Sequence, residues 1–305
     1  MKVLMISGDK AILEEGSGAH TRLELQRRAV DRIDVFVWPQ VHPFREICRT
    51  ARVGQHDVIT AQDPFWRGLI AWRVARKTGT KLNIQLHADL AKQSAAKRCL
   101  ACFTLRRADS IRVVSEKLAA EVRVLGVVAK VSVLPIYVDL DAFRSVVREP
   151  HEWKTILWVG RFEAEKDPIA AIEVLKEVRE AGVDAKLVML GAGSLDREVQ
   201  RAAKGLLVEL PGRQELKPFL ARADVVLSTS REESWGASLV EALAAGVPVV
   251  APDVGIAKEA GATVVERVKL ASAVTRALKE RTRGELRLAL PNVAEWAKRW
   301  RETLI

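Results

Sequence analysis

The reading turns on one stretch, Ser228-Thr-Ser-Arg-Glu-Glu233-Ser-Trp235-Gly236-Ala237-Ser238-Leu239-Val-Glu241-Ala-Leu-Ala-Ala-Gly-Val-Pro248. A run of valines and leucine enters it at Val225 and reads as a strand ending at Ser228. A loop with Glu233 and Gly236 follows. A helix is then expected from Ser238 to Ala245, with Glu241 in its first turn, and a second strand from Pro248 to Ala251. Strand, loop, helix and strand in close succession make one unit of a parallel sheet. The loop lies at the carboxyl end of the first strand, where open α/β sheets take their ligands. The amides and dipole of a helix N-terminus suit a phosphate there. Glu241 is placed to accept from ribose hydroxyls and Glu233 to reach a sugar. A first-turn carboxylate also favours the helix dipole with no ligand at all.

The same alternation extends in both directions. Strands at Thr155–Val159, Lys186–Leu190, Leu207–Glu209 and Thr263–Val265 alternate with helices at Pro168–Ala181, Leu195–Lys204, Glu215–Arg222 and Leu270–Thr282. They complete a domain over residues 151–290. Upstream, strands at Lys2–Ser7, Asp34–Trp38, Asp57–Ala61, Lys81–Gln85, Ser110–Val114 and Lys130–Leu134 fill residues 1–145. Helical patterns at His20–Val30, Phe65–Lys77 and Lys92–Arg107 lie between them. Residues 139–153 hold Pro150 and show no clear period. A last helix, Val293–Leu304, carries Trp296 and Trp300. The fold class is α/β, two doubly wound parallel-sheet domains in series.

Two other loops of the second domain can carry chemistry. Trp158-Val-Gly160-Arg161-Phe-Glu-Ala-Glu-Lys166-Asp-Pro168 leaves a buried strand and enters a helix at Pro168. Arg161 and Lys166 sit where two cations suit a diphosphate, since charge-assisted bonds to phosphate are the strong ones. The same residues also fit a plain charged surface. Leu190-Gly191-Ala-Gly193-Ser194 gives a glycine turn before a helix. It lacks the third glycine of a nicotinamide fingerprint, so only an anion or nucleotide edge is expected there.

Composition bounds the rest. The chain has 305 residues, 49% hydrophobic and 29% charged, which excludes disorder. No apolar run is long enough for a membrane-spanning helix, and Met1 to Gly8 reads as a strand rather than a leader, so a cytoplasmic protein is expected. Three cysteines do not make a disulfide scaffold. Cys99-Leu-Ala-Cys102 has no partner pair for zinc and reads, like Cys48, as buried small residues. His42, His56 and His151 carry no motif. Residues 1–150 hold 25 basic and 16 acidic side chains, residues 151–305 hold 24 and 23. Nearly all the positive excess therefore sits in the first half, which should favour a polyanionic partner. Lys92–Arg112 combines Lys97, Arg98, Arg106, Arg107 and Arg112 with apolar residues. It reads either as an amphipathic segment on an anionic membrane or as a core helix with a solvated basic back. Few aromatics interleave with the basic residues and no RNA-binding motif appears, which argues against nucleic acid.

The run Glu233 to Glu241 resembles the Glu-x7-Glu motif of the retaining nucleotide-sugar glycosyltransferases of family four, which have the GT-B fold. Glu241-Ala-Leu-Ala-Ala-Gly-Val-Pro-Val-Val250 looks like that family's following helix and strand. Val159-Gly160-Arg161 with Lys166 is similar to its diphosphate loop. In the first half, Gln85-Leu-His87-Ala-Asp89, Ala108-Asp-Ser-Ile-Arg-Val-Val-Ser115 and Leu134-Pro-Ile-Tyr-Val-Asp139-Leu-Asp141-Ala-Phe143 fall in the family's order. The Asp139-x-Asp141 pair matches the family's interdomain turn and is not taken as a metal site. Two departures stand out: the first loop reads Gly16-Ser17-Gly18, and Ser234 replaces a glycine beside Glu233.

The resemblance implies two domains facing across a cleft, with the C-terminal helix, residues 293–305, crossing back onto an acceptor-side domain. It implies a retaining, metal-independent sugar transfer from a nucleotide-diphosphate sugar to an acceptor hydroxyl on a sugar or a lipid-linked acceptor. Arg161, Lys166, Glu233 and His87 would carry the chemistry. Gly16, Gly18, Gly160, Gly191, Gly193, Trp235, Gly236, Ala237, Ser238, Leu239 and Glu241 would bind the donor. No metal and no cofactor is expected. The basic first half, and not the resemblance, adds to the cytoplasmic expectation the alternative of peripheral attachment on the inner face of a membrane. A nucleotide-sugar epimerase of the same fold and a non-catalytic nucleotide-sugar- or nucleic-acid-binding module are the rival readings.

Overall fold

The computed structural model describes residues 1–38 and 43–305. His42 lies outside them. The chain divides into two units, Met1–Tyr137 with Leu290–Ile305, and Val138–Ala289.

The first unit contains β1 (Lys2–Ser7), α1 (Gly18–Ala29), β2 (Arg32–Val37), α2 (Pro43–Gly54), β3 (Val58–Ala61), α3 (Trp66–Thr78), β4 (Lys81–Leu86), α4 (Ala95–Leu105), β5 (Ser110–Val113), α5 (Glu116–Val124) and β6 (Lys130–Val133). Its sheet is parallel, in the order β2-β1-β3-β4-β5-β6. Strands covered on both faces should be continuously apolar, and Val3, Leu4, Met5 and Ile6 of β1 are all fully buried. From β1 the chain steps one way to β2, then back past β1 to β3 and onward. Right-handed crossovers therefore put α1 on one face and α2 to α5 on the other. On the α1 face the chain's last helix packs against α1, and its Trp296 and Trp300 join Leu23 and Ile33 in one core. Trp296 Nε1 donates to Pro135 O at 2.8 Å. Burying the two rings contributes about 2 kcal/mol or more each, offset in part at Trp300, whose buried Nε1 has no hydrogen-bond partner. On the opposite face α2 packs on α3 and α3 on α4.

The second unit runs α6 (Leu140–Arg144), β7 (Lys154–Val159), α7 (Pro168–Glu180), β8 (Ala185–Leu190), α8 (Asp196–Ala203), β9 (Val208–Gly212), α9 (Lys217–Leu220), β10 (Val225–Leu227), α10 (Ala237–Ala244), β11 (Val249–Ala251), α11 (Ala257–Ala260), β12 (Thr263–Val264) and α12 (Leu270–Glu280); the last helix, α13, is Val293–Glu302. The second sheet is also parallel, in the order β12-β11-β10-β7-β8-β9. The segment without a clear period is ordered differently from its sequence reading. Asp139 caps the short α6, its Oδ1 accepting from Ala142 N at 3.2 Å. Glu149 N donates to Ala221 O at 2.9 Å, and Arg148 Nη1 donates to Leu220 O at 3.1 Å. These bonds tie residues 138–153 to the second unit.

Candidate functional site

In the second sheet the chain moves from β7 to β8 and β9, then returns to the other side of β7 for β10, β11 and β12. Val225 and Val226 of β10 therefore lie beside Ile156 and Leu157 of β7. The loops leaving these two strands emerge together at the carboxyl edge. This reversal point is where doubly wound sheets hold ligands.

The two loops bring Lys166 and Glu233 into a direct ion pair, with side chains only 19% and 14% exposed. Ser230 Oγ donates to the same Glu233 oxygen at 3.0 Å. Arg161 lies farther out, 63% exposed, and its Nη2 donates to Glu165 Oε1 at 2.6 Å. Each of the two expected diphosphate cations is thus met by a carboxylate of its own chain. A diphosphate concentrates more negative charge than either carboxylate and could take both cations over.

The helix after Glu233 starts one residue earlier than the sequence suggests, at Ala237. Gly236 supplies its N-cap with a φ of 102°, and no side chain caps it. That left-handed step is cheap only for glycine. Glu241 consequently stands in the second turn and not in the first, so the dipole explanation for it weakens. It is half-buried. Ala237 and Ser238 are half-buried as well, whereas Trp235 and Leu239 are 1% and 2% exposed and belong to the core. Backbone is all that those two can offer a ligand.

Gly160, Gly191 and Gly193 are explained by loop packing. A Cβ on Gly191 would meet the carbonyl oxygen of Gly160, and one on Gly193 the backbone of Phe162. The loops are cross-bonded: Gly160 N donates to Leu190 O at 3.0 Å and Phe162 N to Ala192 O at 3.1 Å. Glu163 accepts from Ser194 N at 3.1 Å and from Ser194 Oγ at 2.6 Å, which holds its carboxyl below the usual range. The glycine turn thereby braces the Arg161 loop.

The first unit places His87 just past β4, at the carboxyl edge of its sheet. Burial, then Arg112 and Arg22, push the half-buried imidazole down to about 3, so it is neutral at physiological pH. Arg112 itself is 3% exposed, and burial followed by Arg22 pushes it down to about 9. It donates to Gln85 Oε1 at 2.7 Å and to the carbonyls of Leu134 and Pro135. It therefore belongs to the core, not to a surface segment as its place in Lys92–Arg112 suggested. Gly16 has a φ of 82° with open space around it. Ser17 caps α1, accepting from His20 N at 3.0 Å, and Gly18 lies beneath the Arg22 guanidinium.

The remaining titratable candidates have ordinary structural explanations. His56 pairs with Asp34 at 2.6 Å and His151 with Asp224 at 2.8 Å. Cys48 is buried as expected, but Cys99 is exposed, because it falls on the outer face of α4. Among the described residues no group of three His, Cys, Asp or Glu side chains is placed to hold a metal. A cavity of about 1040 Å³ lies at the opposite, amino edge of the second sheet, near Lys154, Asp224 and Pro248. Its five Lys and Arg side chains are nearly offset by four Asp and Glu, so its size does not make it an anion site.

The positive charge of the first unit is concentrated. Arg45, Arg49 and Arg52 on α2, Arg73, Arg76 and Lys77 on α3, and Lys97, Arg98, Arg106 and Arg107 along and just past α4 are all exposed. Glu46 is the only acidic residue on the three helices. Arg76 and Arg107 lie over the Trp72 ring, and Lys77 over Phe44. Val53 and Trp66 are 80% and 66% exposed on the same helices.

Residues 153–280 match the family model described as Glycosyl transferases group 1. The matched residues all lie within the second unit. The chain is 35% identical over 129 residues to the GDP-mannose-dependent alpha-(1-6)-phosphatidylinositol dimannoside mannosyltransferase of Mycobacterium tuberculosis, covering 38% of this chain and 34% of that one. It is 29% identical over 218 residues to a putative colanic acid biosynthesis glycosyltransferase of Escherichia coli, covering 65% and 52%. The chain thus spans about a third to a half of the length of these relatives. In fold it is similar to sucrose-phosphate synthase from Thermosynechococcus elongatus, at 16% identity and a TM-score of 0.73 over 100% of this chain and 94% of that one. It is likewise similar to the apo lipopolysaccharide outer core galactosyltransferase WaaB, at 16% identity and a TM-score of 0.68 over 93% and 92%. With two six-stranded parallel sheets flanked by helices, the fold around the group 1 unit is GT-B. Among the described residues no helix is long and apolar enough to cross a membrane.

Proposed function

We propose that the protein is a retaining glycosyltransferase that moves a sugar from a nucleoside-diphosphate sugar to a lipid-linked or membrane-borne hydroxyl without a metal ion. The observation that carries the reading is the meeting of Lys166 and Glu233 at the reversal point of the second sheet, on the two loops that also carry Arg161 and lead into α10. When the bond between the anomeric carbon and the diphosphate breaks, negative charge grows on the leaving oxygens. Arg161, Lys166 and the amides at Ala237 and Ser238 stabilise that charge where it develops, which is the contribution that lowers a barrier. The incoming diphosphate draws Lys166 away from Glu233, and Glu233 is then available to orient the donor sugar. Glu241 would hold the ribose. Gly16 and Gly18 would admit the phosphates to the first unit's backbone. His87, kept neutral, contacts the sugar as a hydrogen-bonding group without adding positive charge. An epimerase of the same fold is disfavoured by the paired glutamates and the Arg161–Lys166 loop.

The decisive experiment is transfer or slow hydrolysis from a panel of UDP-, GDP- and ADP-sugars, with EDTA present. GDP-mannose, named for the mycobacterial relative, is the first to try. Turnover that survives the chelator is expected. Loss of turnover restored by Mg²⁺ or Mn²⁺ would overturn the metal-independent part, and no turnover of any donor the transferase reading itself.

The acceptor side rests on the basic face of α2, α3 and α4. Exposed cations above half-buried aromatic rings match the interface of an anionic bilayer, where aromatic bodies sit at headgroup level and Arg and Lys stems snorkel. Co-sedimentation with vesicles containing anionic phospholipid at low and high salt tests it. Binding that weakens with salt is expected; equal binding to neutral vesicles, or preference for RNA, would remove it.

A further inference from the structure

Three described residues other than glycine have a positive φ: Gln55, Asp167 and Arg281. Gln55 follows the end of α2 and Arg281 ends α12, where a left-handed residue is an ordinary way to stop a helix. Asp167 is different, because it opens one. It is the N-cap of α7, with φ 49° and ψ 59°. An N-cap residue normally takes an extended conformation and turns its side chain onto the first amides, and aspartate is among the best at it. Asp167 does neither: its side chain makes no capping bond.

Its carboxylate is turned the other way. Oδ2 accepts from Arg267 Nη2 at 2.5 Å, and from Arg231 Nε at 3.0 Å and Nη2 at 2.9 Å. Arg231 belongs to the loop after β10, and Arg267 lies 100 positions from Asp167 in the chain. The backbone is fixed beside it. Thr229 Oγ1 lies 3.0 Å from Lys166 O and 2.8 Å from Asp167 O, and itself accepts from Trp158 Nε1 at 2.8 Å. Arg231 N donates to Glu165 O at 2.8 Å. A disfavoured conformation persists only where its surroundings over-determine it, and such positions cluster at functional sites. Here the neighbouring residue is Lys166.

We propose that Asp167 is a positioning residue for the donor site. Held left-handed by Arg231 and Arg267, it fixes the peptide it shares with Lys166 and so aims the Lys166 ammonium at the leaving diphosphate. If residue 167 relaxed to an ordinary capping conformation, that peptide would rotate, Lys166 O would leave Thr229, and the ammonium would swing from Glu233. The proposal rests on the donor-site reading given above.

The test uses the full chain and two variants. Asp167→Asn keeps a residue that tolerates the left-handed region but removes the charge. Asp167→Gly frees the backbone and removes the clamp. Affinity is measured for the nucleoside diphosphate of the donor and for the matching monophosphate, with turnover and Tm. Both variants should keep a Tm near that of wild type, lose about tenfold in diphosphate affinity and turnover through misplacement of Lys166, and bind the monophosphate unchanged. In the Lys166→Ala background, Asp167→Asn should add almost nothing. Additive losses, or diphosphate and monophosphate affinities falling together with Tm, would make Asp167 a purely structural residue. Failure of the wild type to bind any nucleoside diphosphate would remove the donor-site reading, and this proposal with it.

Discussion

The two units share one architecture and use cations in opposite ways. At the carboxyl edge of the second sheet every cation discussed has an acidic partner: Lys166 meets Glu233, Arg161 meets Glu165, and Arg231 and Arg267 share Asp167. On the outer face of α2, α3 and α4, none of the ten exposed Lys and Arg side chains lies within ion-pair distance of a carboxylate, among the described residues. The first arrangement fixes charges at defined points and fits a compact ligand whose phosphates must be met with geometry. The second spreads charge over a surface and fits a partner recognised by field rather than by shape. The same residue types therefore serve precision in one unit and attraction in the other, and the difference lies in whether carboxylates stand beside them.

The largest effect should come from breaking the precise arrangement. Arg161→Ala and Lys166→Ala are each expected to lower turnover about 10²-fold or more, since each removes a cation from charge that develops in the transition state. Folding should separate the two. The Arg161–Glu165 pair is exposed, worth about 0–1 kcal/mol, so the Tm of Arg161→Ala should barely move. Lys166→Ala leaves the mostly buried Glu233 without its cation and should lower Tm measurably. Steady-state kinetics and thermal melts of the purified variants check both. Near-normal turnover in either would put the second unit's cations on the same footing as surface charge.

Much of this was legible in sequence, and the limits are physical. The inner strands are visible because a strand buried on both faces is a continuous apolar run, as in Val3 to Ile6, and the partly buried edge strands β2, β6, β9 and β12 are visible through their short valine- and leucine-containing runs between turn residues. Lys166 and Glu233 are visible because each follows a strand on a loop with its own local pattern. Their contact is not, because it depends on β7 and β10 being neighbours, which is a matter of sheet order. Asp167 is less visible still: Lys166-Asp167-Pro168 reads as a routine helix start, and Arg267, which turns the aspartate away from that role, comes from the segment after β12. The true place of Arg112 is hidden for a related reason. An arginine satisfied by Gln85 and two backbone carbonyls needs no carboxylate to mark it as buried.

The diffuse arrangement predicts smaller, graded effects. Changing Lys97, Arg98, Arg106 and Arg107 to glutamine should weaken binding to anionic vesicles, at about 1 kcal/mol, roughly fivefold, for each cation near the surface. The structure adds a sharper comparison, because α2 and α3 share the face with α4. Changing Arg45, Arg49 and Arg52 on α2 should weaken binding by a similar amount per residue. Raising salt should reduce the difference from wild type in both sets. If the α4 set abolishes binding and the α2 set leaves it unchanged, attachment is a property of one helix, and the contrast between fixed and diffuse charge fails on the first unit. The α4 set should be judged against Tm, since Arg107 also stacks 3.7 Å from the Phe103 ring.

The smallest effect expected is on pH and concerns the one place where the first unit also fixes charge closely. Burial, with Arg112 and Arg22 nearby, moves His87 from its usual 6.5 to about 3. Between those two pH values the unfolded chain binds a proton at this residue and the folded chain does not. Stability from this group is therefore fully present above pH 6.5 and is lost as pH falls toward 3. His87→Gln removes the titration, so its Tm should decline less steeply than that of wild type as pH drops from 7 to 4. The carboxylates that titrate in the same range are common to both proteins, and the difference between the two curves isolates the imidazole. Because His87 is only half-buried, solvent screening will keep that difference modest. Arg112→Gln should move the wild-type curve partway toward His87→Gln, burial being the larger cause and the guanidinium the second. Parallel curves for wild type and His87→Gln would mean that the ring charges in the folded protein like any exposed histidine. Its neutral, hydrogen-bonding role toward a sugar would then be lost, while the Arg161 and Lys166 results would stand.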